Sequence, residues 1–169
     1  MKKKAFLSVI VLFALVLVSC APAAAPAEEA MADDACAGEW GCAVIEPGQT
    51  IKIGMSSPMT GPYADFGIDA EYSGLLAVAD AGDVEGWTFE LIAEDDEGGA
   101  EGGAAVANKL VADPTFVALA GALFSGATAA GMPIYEEAGI PMLSPSATAA
   151  FLTQEGSAVF NRVPFTDPI

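Results

Sequence analysis

Two short stretches gather hydroxyls and small residues with no charge among them: Leu123-Phe124-Ser125-Gly126-Ala127-Thr128 and Ser144-Pro145-Ser146-Ala147-Thr148. Serine and threonine at a helix start add neutral donors to backbone N–H groups that lack intrahelical partners. With the positive end of the helix dipole, they make a seat for a carboxylate. Two such starts converging at one edge would hold that anion without arginine. The chain is poor in cations, with six Lys and Arg against 23 Asp and Glu. Capping alone explains any one of Ser125, Ser146 or Thr148, because these are ordinary N-cap residue types. The pairing of the two stretches, joined by an aromatic-bearing loop over residues 56–66, makes Ser125, Ser146 and Thr148, with the loops that carry them, candidates for ligand binding.

The elements that must position these loops are legible in the apolar pattern. Residues 51–55 read as a strand, and Ile68, Tyr72, Leu75, Leu76 and Ala79 are spaced as one face of an amphipathic helix. A second strand covers residues 87–93 and a second helix residues 100–112, stopped at Asp113-Pro114 because a residue before proline disfavours helical geometry. Residues 116–120 form a fully apolar third strand, suited to a central position covered on both faces. Residues 125–138 read as a helix that Pro133 should kink or split. A fourth strand (140–143), a short helix (149–154) and a fifth strand (158–163) follow. Strands alternating with helices imply parallel crossovers, hence a doubly wound α/β lobe with expected strand order 2-1-3-4-5. Ligands of such sheets collect beyond the carboxyl ends of the strands, where all three candidate loops would lie.

Other chemistry is weaker. The run Glu94-Asp95-Asp96-Glu97 could coordinate a divalent cation, but it lacks the spaced oxygen ligands of a dedicated loop. It reads instead as a solvated strand end, with Asp96 or Glu97 favourably near a helix N-terminus. No metal site or cofactor is expected. An enzyme is disfavoured by the lack of histidine, of a G-x-S-x-G elbow and of a phosphate-binding G-x-x-x-x-G-K-[ST] loop. The acidity repels nucleic acid and anionic headgroups, so neither is an expected partner.

The chain begins with Lys2, Lys3 and Lys4, followed by an apolar run over residues 5–18, the layout of an export signal. Leu17-Val18-Ser19-Cys20 closes that run and resembles the lipobox of bacterial lipoproteins, which implies cleavage after residue 19 and a lipid on Cys20. Residues 20–49 are rich in Ala, Pro and acids and read as a tether. Outside the cytoplasm Cys36 and Cys42 could close a small disulfide loop, although spacing alone does not supply the geometry. The expected organisation is a signal (1–19), a tether (20–49) and an incomplete protein's first ligand-binding lobe (50–169).

The stretches IKIGMSSPMTGPYADFG, VANKLV, ALAGALFSGATAA and YEEAGIPMLSPSAT resemble, in order, the first lobe of type I periplasmic binding proteins. The nearest class serves branched-chain amino acid ABC importers, and VFNRVPFTDPI resembles its approach to the first inter-lobe hinge. The resemblance implies a lipid-anchored extracytoplasmic protein that binds an amino acid or amide and docks on a membrane permease. It further implies that Ser125 donates to the ligand carboxylate, with Leu123 and Phe124 contributing backbone groups. Ser146 would meet the ammonium through its carbonyl, Thr148 would meet the carboxylate through its hydroxyl, and Phe66 would cover the ligand. A sensor ectodomain would share the lobe and differ by a membrane helix downstream.

Overall fold

A computed structural model of the chain describes residues 36–154 and 156–168. The expected export signal, Cys20 and residues 21–35 of the tether lie outside the described residues. The chain divides into two units, Met1–Glu39 and Trp40–Ile169. The described part of the first, residues 36–39, is a turn. Cys36 and Cys42 are both disulfide-bonded.

The second unit alternates strands and helices. In order they are β1 (Thr50–Ser57), a 3₁₀ turn (Gly61–Tyr63), α1 (Ala64–Ala81), β2 (Thr88–Asp95) and α2 (Ala100–Val111). There follow β3 (Phe116–Gly121), α3 (Ser125–Glu137), β4 (Met142–Ser144), α4 (Phe151–Gln154) and β5 (Phe160–Arg162). All strand pairings are parallel and the order is β2-β1-β3-β4-β5, as the alternation implies. Successive connections leave β1 to opposite sides, which opens a switch point between β1 and β3 at the carboxyl edge of the sheet.

The core lies on the face covered by α2 and α3. Val106, Ala107 and Leu110 of α2 and Tyr135 of α3 meet Phe116, Leu119, Met142 and Phe160 of the sheet. Burying a side chain such as Leu119 stabilises the fold by about 1.5–3 kcal/mol. The helices approach closely at Gly103, where a Cβ would lie 2.5 Å from the Ala127 carbonyl oxygen. α3 is continuous from Ser125 to Glu137 with Pro133 inside it, so the expected split does not occur. The proline removes one bond to the Ala129 carbonyl, but Ala127, Thr128, Gly131 and Tyr135 are buried along the same helix. Tertiary packing outweighs the local loss.

The other face differs more from expectation. The stripe read as the buried side of α1 points outward: Tyr72 is 66% and Leu76 62% exposed. Small residues take its place against the sheet. A Cβ on Gly67 would stand 2.0 Å from the Pro58 carbonyl oxygen, and one on Gly74 would strike Met55 and Leu91. β3 is central, yet among the described residues only its α2–α3 face is fully covered; Ala118 and Ala120 remain part-exposed. A cleft of about 310 Å³ opens there between α1 and the sheet, lined by Ile53, Gly74 and Ala120 among others. At the opposite end of the strands Trp40 lies against Gly139, so the stretch read as a tether touches the lobe at that residue.

Candidate functional site

The three loops singled out by sequence share the carboxyl edge of the sheet, after β1, β3 and β4. The second and third are stitched together. Ser144, wholly buried at the end of β4, donates its hydroxyl to the Ala122 carbonyl at 2.6 Å and accepts the Ala147 N–H at 3.0 Å. Ser146 Oγ donates to the Leu123 carbonyl at 2.6 Å. Thr128 Oγ1 donates to the Ala122 and Phe124 carbonyls, at 3.2 and 3.0 Å. The chain's single arginine, Arg162 on β5, donates to the carbonyls of Ala147 and Ala149 and to Thr153 Oγ1.

Ser125 is the first residue of α3, not its cap. Phe124 occupies the cap position and no side chain caps the helix. Ser125 Oγ instead accepts the Ala149 N–H at 3.2 Å, which leaves its own proton to donate outward. An uncapped helix start beside a hydroxyl donor is the arrangement that receives a carboxylate. The third loop departs from expectation here, because no helix opens at Ser146–Thr148. The next helix is the four-residue α4, beginning at Phe151. Ser144 Oγ already takes the Ala147 N–H, and also lies 3.4 Å from the Ser146 N–H, so the loop closes on a side chain and not on a helical turn. One helix N-terminus, not two, faces the site.

The remaining candidates are placed unevenly. Thr148 Oγ1 donates to the Asp167 carboxylate at 2.9 Å, while the Asp167 N–H donates to the Thr148 carbonyl. Phe66 stands in the first turn of α1, 61% exposed. The aromatic that meets the second loop is Tyr63, whose ring sits edge-on to Phe124 with centroids 5.1 Å apart. Sequence reading missed Ser144, Tyr63 and Asp167. Ser144 carried a usable signal, a hydroxyl directly before proline at a strand end, where a side chain can cap the following backbone N–H groups.

The acidic run is not a solvated strand end. Glu94 pairs with Lys109 at 2.6 Å, Asp95 accepts three hydrogen bonds and Asp96 is wholly buried. Among the described residues no cluster of metal-binding side chains forms. Lys52 is likewise engaged, 2.6 Å from Asp113. A ligand anion at the α3 terminus would therefore be held by hydroxyl and backbone N–H donors.

Residues 50–166 match the family described as periplasmic binding protein. The chain is 37% identical over 110 residues to a leucine-, isoleucine-, valine-, threonine- and alanine-binding protein of Pseudomonas aeruginosa, covering 63% of this chain and 29% of the relative. It is 38% identical over 112 residues to the Leu/Ile/Val-binding protein of Escherichia coli, covering 64% and 30%. The chain thus spans less than a third of the length of these curated relatives. Among solved structures, the branched-chain amino acid transporter substrate-binding protein LivJ of Streptococcus pneumoniae, in complex with isoleucine, superposes with a TM-score of 0.65. It is 33% identical and is matched over 70% of this chain and 34% of its own. A leucine-binding protein, LivK, of Thermotoga maritima gives a TM-score of 0.64 at 30% identity, over 70% and 33%.

Proposed function

We propose that this chain, which belongs to the periplasmic binding protein family, forms the first ligand-gripping lobe of a solute-binding protein that delivers branched-chain or related amino acids to an ABC importer. The observation that carries the reading is the start of α3. It is uncapped, Ser125 stands at its first position, and the hydroxyl is oriented by the Ala149 N–H of the neighbouring loop. The ligand carboxylate sits on this terminus and accepts from Ser125 Oγ and adjacent backbone N–H groups. The Ser146 carbonyl takes the ammonium, its hydroxyl being committed to Leu123. Thr148 now gives its proton to Asp167, so the ligand carboxylate replaces Asp167 on that hydroxyl. Phe66, exposed above the edge, covers the ligand.

The part-exposed face beside α1 and the length of the relatives support a lobe that works within a longer, two-lobed protein. Closure of two lobes on the ligand is then the signal read by the membrane permease. The N-terminal sequence supports export and anchoring by a lipid on Cys20, which places the site outside the cytoplasm. The role is binding, not catalysis.

Calorimetric titration of a complete two-lobed protein with L-leucine tests this assignment. Ser125→Ala is expected to weaken binding by about 1–3 kcal/mol, the usual cost of a lost bond to a charged group. Unchanged affinity would remove Ser125 from the site.

A further inference from the structure

The acidic run at the end of β2 is not used by the ligand contacts just described, yet its two central carboxylates, Asp95 and Asp96, bond to residues of the loop after β1 and its approach. Asp95 Oδ1 accepts the N–H groups of Met59, at 2.8 Å, and Glu97, at 2.9 Å, while Oδ2 accepts from Thr60 Oγ1 at 2.6 Å. Met59 and Thr60 lead directly into the 3₁₀ turn that ends at Tyr63, and Tyr63 is the ring that meets Phe124 edge-on. Asp96, wholly buried, accepts from Ser56 Oγ at 2.7 Å and from the Gly98 N–H at 2.8 Å. Gly98 adopts φ 75°, and a Cβ built on it would lie 3.1 Å from the Phe124 ring and 3.5 Å from the Pro58 side chain. The Phe124 ring therefore has Tyr63 edge-on to it and Gly98 close beside it. Asp95 anchors the segment carrying Tyr63, and Asp96 anchors Gly98. Phe124 is the residue immediately before Ser125 and the N-cap of α3.

We propose that Asp95 and Asp96 are positioning residues for the amino-acid site: together they seat the Phe124 ring and so fix the start of α3 against the ligand carboxylate. The proposal rests on the binding role assigned to that terminus, although the seating of Phe124 is a separate, measurable consequence. Burial, with the neighbouring Asp95 charge, pushes the Asp96 carboxyl above its ordinary range despite the hydrogen bonds from Ser56 and Gly98. Desolvation pushes the Asp95 carboxyl up, but hydrogen bonds from Thr60, Glu97 and Met59 together outweigh it and hold its pKa below the ordinary value. It therefore stays ionised and retains its acceptors for the β1 loop.

The test uses Asp95→Ala, Asp95→Asn and Thr60→Val in the complete two-lobed protein. Three quantities are read: the NMR positions of the Tyr63 and Phe124 rings with the Ser125 amide, the affinity for L-leucine, and the melting temperature. Asp95→Ala is expected to move all three sets of resonances and to weaken leucine about tenfold, the scale of one charge-assisted hydrogen bond. Asparagine keeps an acceptor for Met59 and Glu97 and offers its amide to the Thr60 hydroxyl, so Asp95→Asn is expected to restore both. Thr60→Val removes one donor at an exposed site and is expected to shift Tyr63 and Phe124 less, which keeps the test available if Asp95→Ala does not fold. Wild-type ring and Ser125 signals in Asp95→Ala or, failing that, in Thr60→Val would overturn the proposal. So would an Asp95→Asn protein as impaired as Asp95→Ala at equal melting temperature. A wild-type two-lobed protein that ignores leucine would sink the binding role instead, and the resonances would still decide the seating of Phe124.

Discussion

Replacing Ser144 by alanine removes a single oxygen and almost no volume, so its cost isolates the bonds that join the second and third loops. The hydroxyl donates to the Ala122 carbonyl and accepts the Ala147 N–H. Without it the Ala122 carbonyl keeps Thr128 Oγ1 at 3.2 Å, but the Ala147 N–H, in a wholly buried residue, loses its acceptor. An unsatisfied buried donor costs about 1–3 kcal/mol and the lost bond at Ala122 about 1 kcal/mol more, giving roughly 2–4 kcal/mol. For a domain of this size that corresponds to a fall in Tm of about 8–15 °C. Urea denaturation with hydrogen exchange at the Ala147 amide reads both halves of the argument. A loss below about 0.5 kcal/mol, with Ala147 still protected, would refute the claim that Ser144 clasps the two loops.

Two further outcomes test packing and charge. Gly103→Ala would drive a Cβ into the backbone of Ala127, so a loss of about 1–3 kcal/mol is expected in urea. Gly126→Ala, whose Cβ would meet nothing, should instead be neutral or gain up to about 1 kcal/mol from helix propensity. The pKa of Asp113 is held at about 2, mainly by the hydrogen bond from Lys52 and then by those from Thr115, against an ordinary value of 3.8. A depressed carboxyl pKa contributes stability above the unfolded value and loses it as pH falls through the folded one. Stability measured by urea midpoint should therefore decline between pH 4 and 2, and Asp113→Asn should flatten part of that decline.

The parallel sheet followed from the alternation of strands and helices, because each crossover constrains the next strand to run parallel. Side-chain orientation on α1 did not follow. Reading Ile68, Tyr72, Leu75 and Leu76 as the buried face presumes that large apolar residues mark the inside. At Gly67 and Gly74 it is the absence of a side chain that lets the helix approach the sheet, and pattern reading gives such positions no weight. The unbroken α3 was illegible for a related reason, since the packing that offsets Pro133 comes from α2, remote in sequence. The candidate site was half legible. Its loops were picked out from residue type and sheet edge, whereas their stitching through Ser144 and Arg162, and the hydrogen bonds of Asp95 and Asp96, depend on contacts between elements that no single stretch displays.

The most direct measurement is an NMR titration of the isotope-labelled chain, within the complete two-lobed protein, with L-leucine, following every backbone amide. The account requires the shifts to concentrate at Ser125, Gly126 and Ala127 on the start of α3 and at Thr148 in the third loop, with Asp167 moving as its hold on Thr148 is released. Shifts confined to other parts of the lobe, or no shift at millimolar leucine in the complete two-lobed protein, would contradict it.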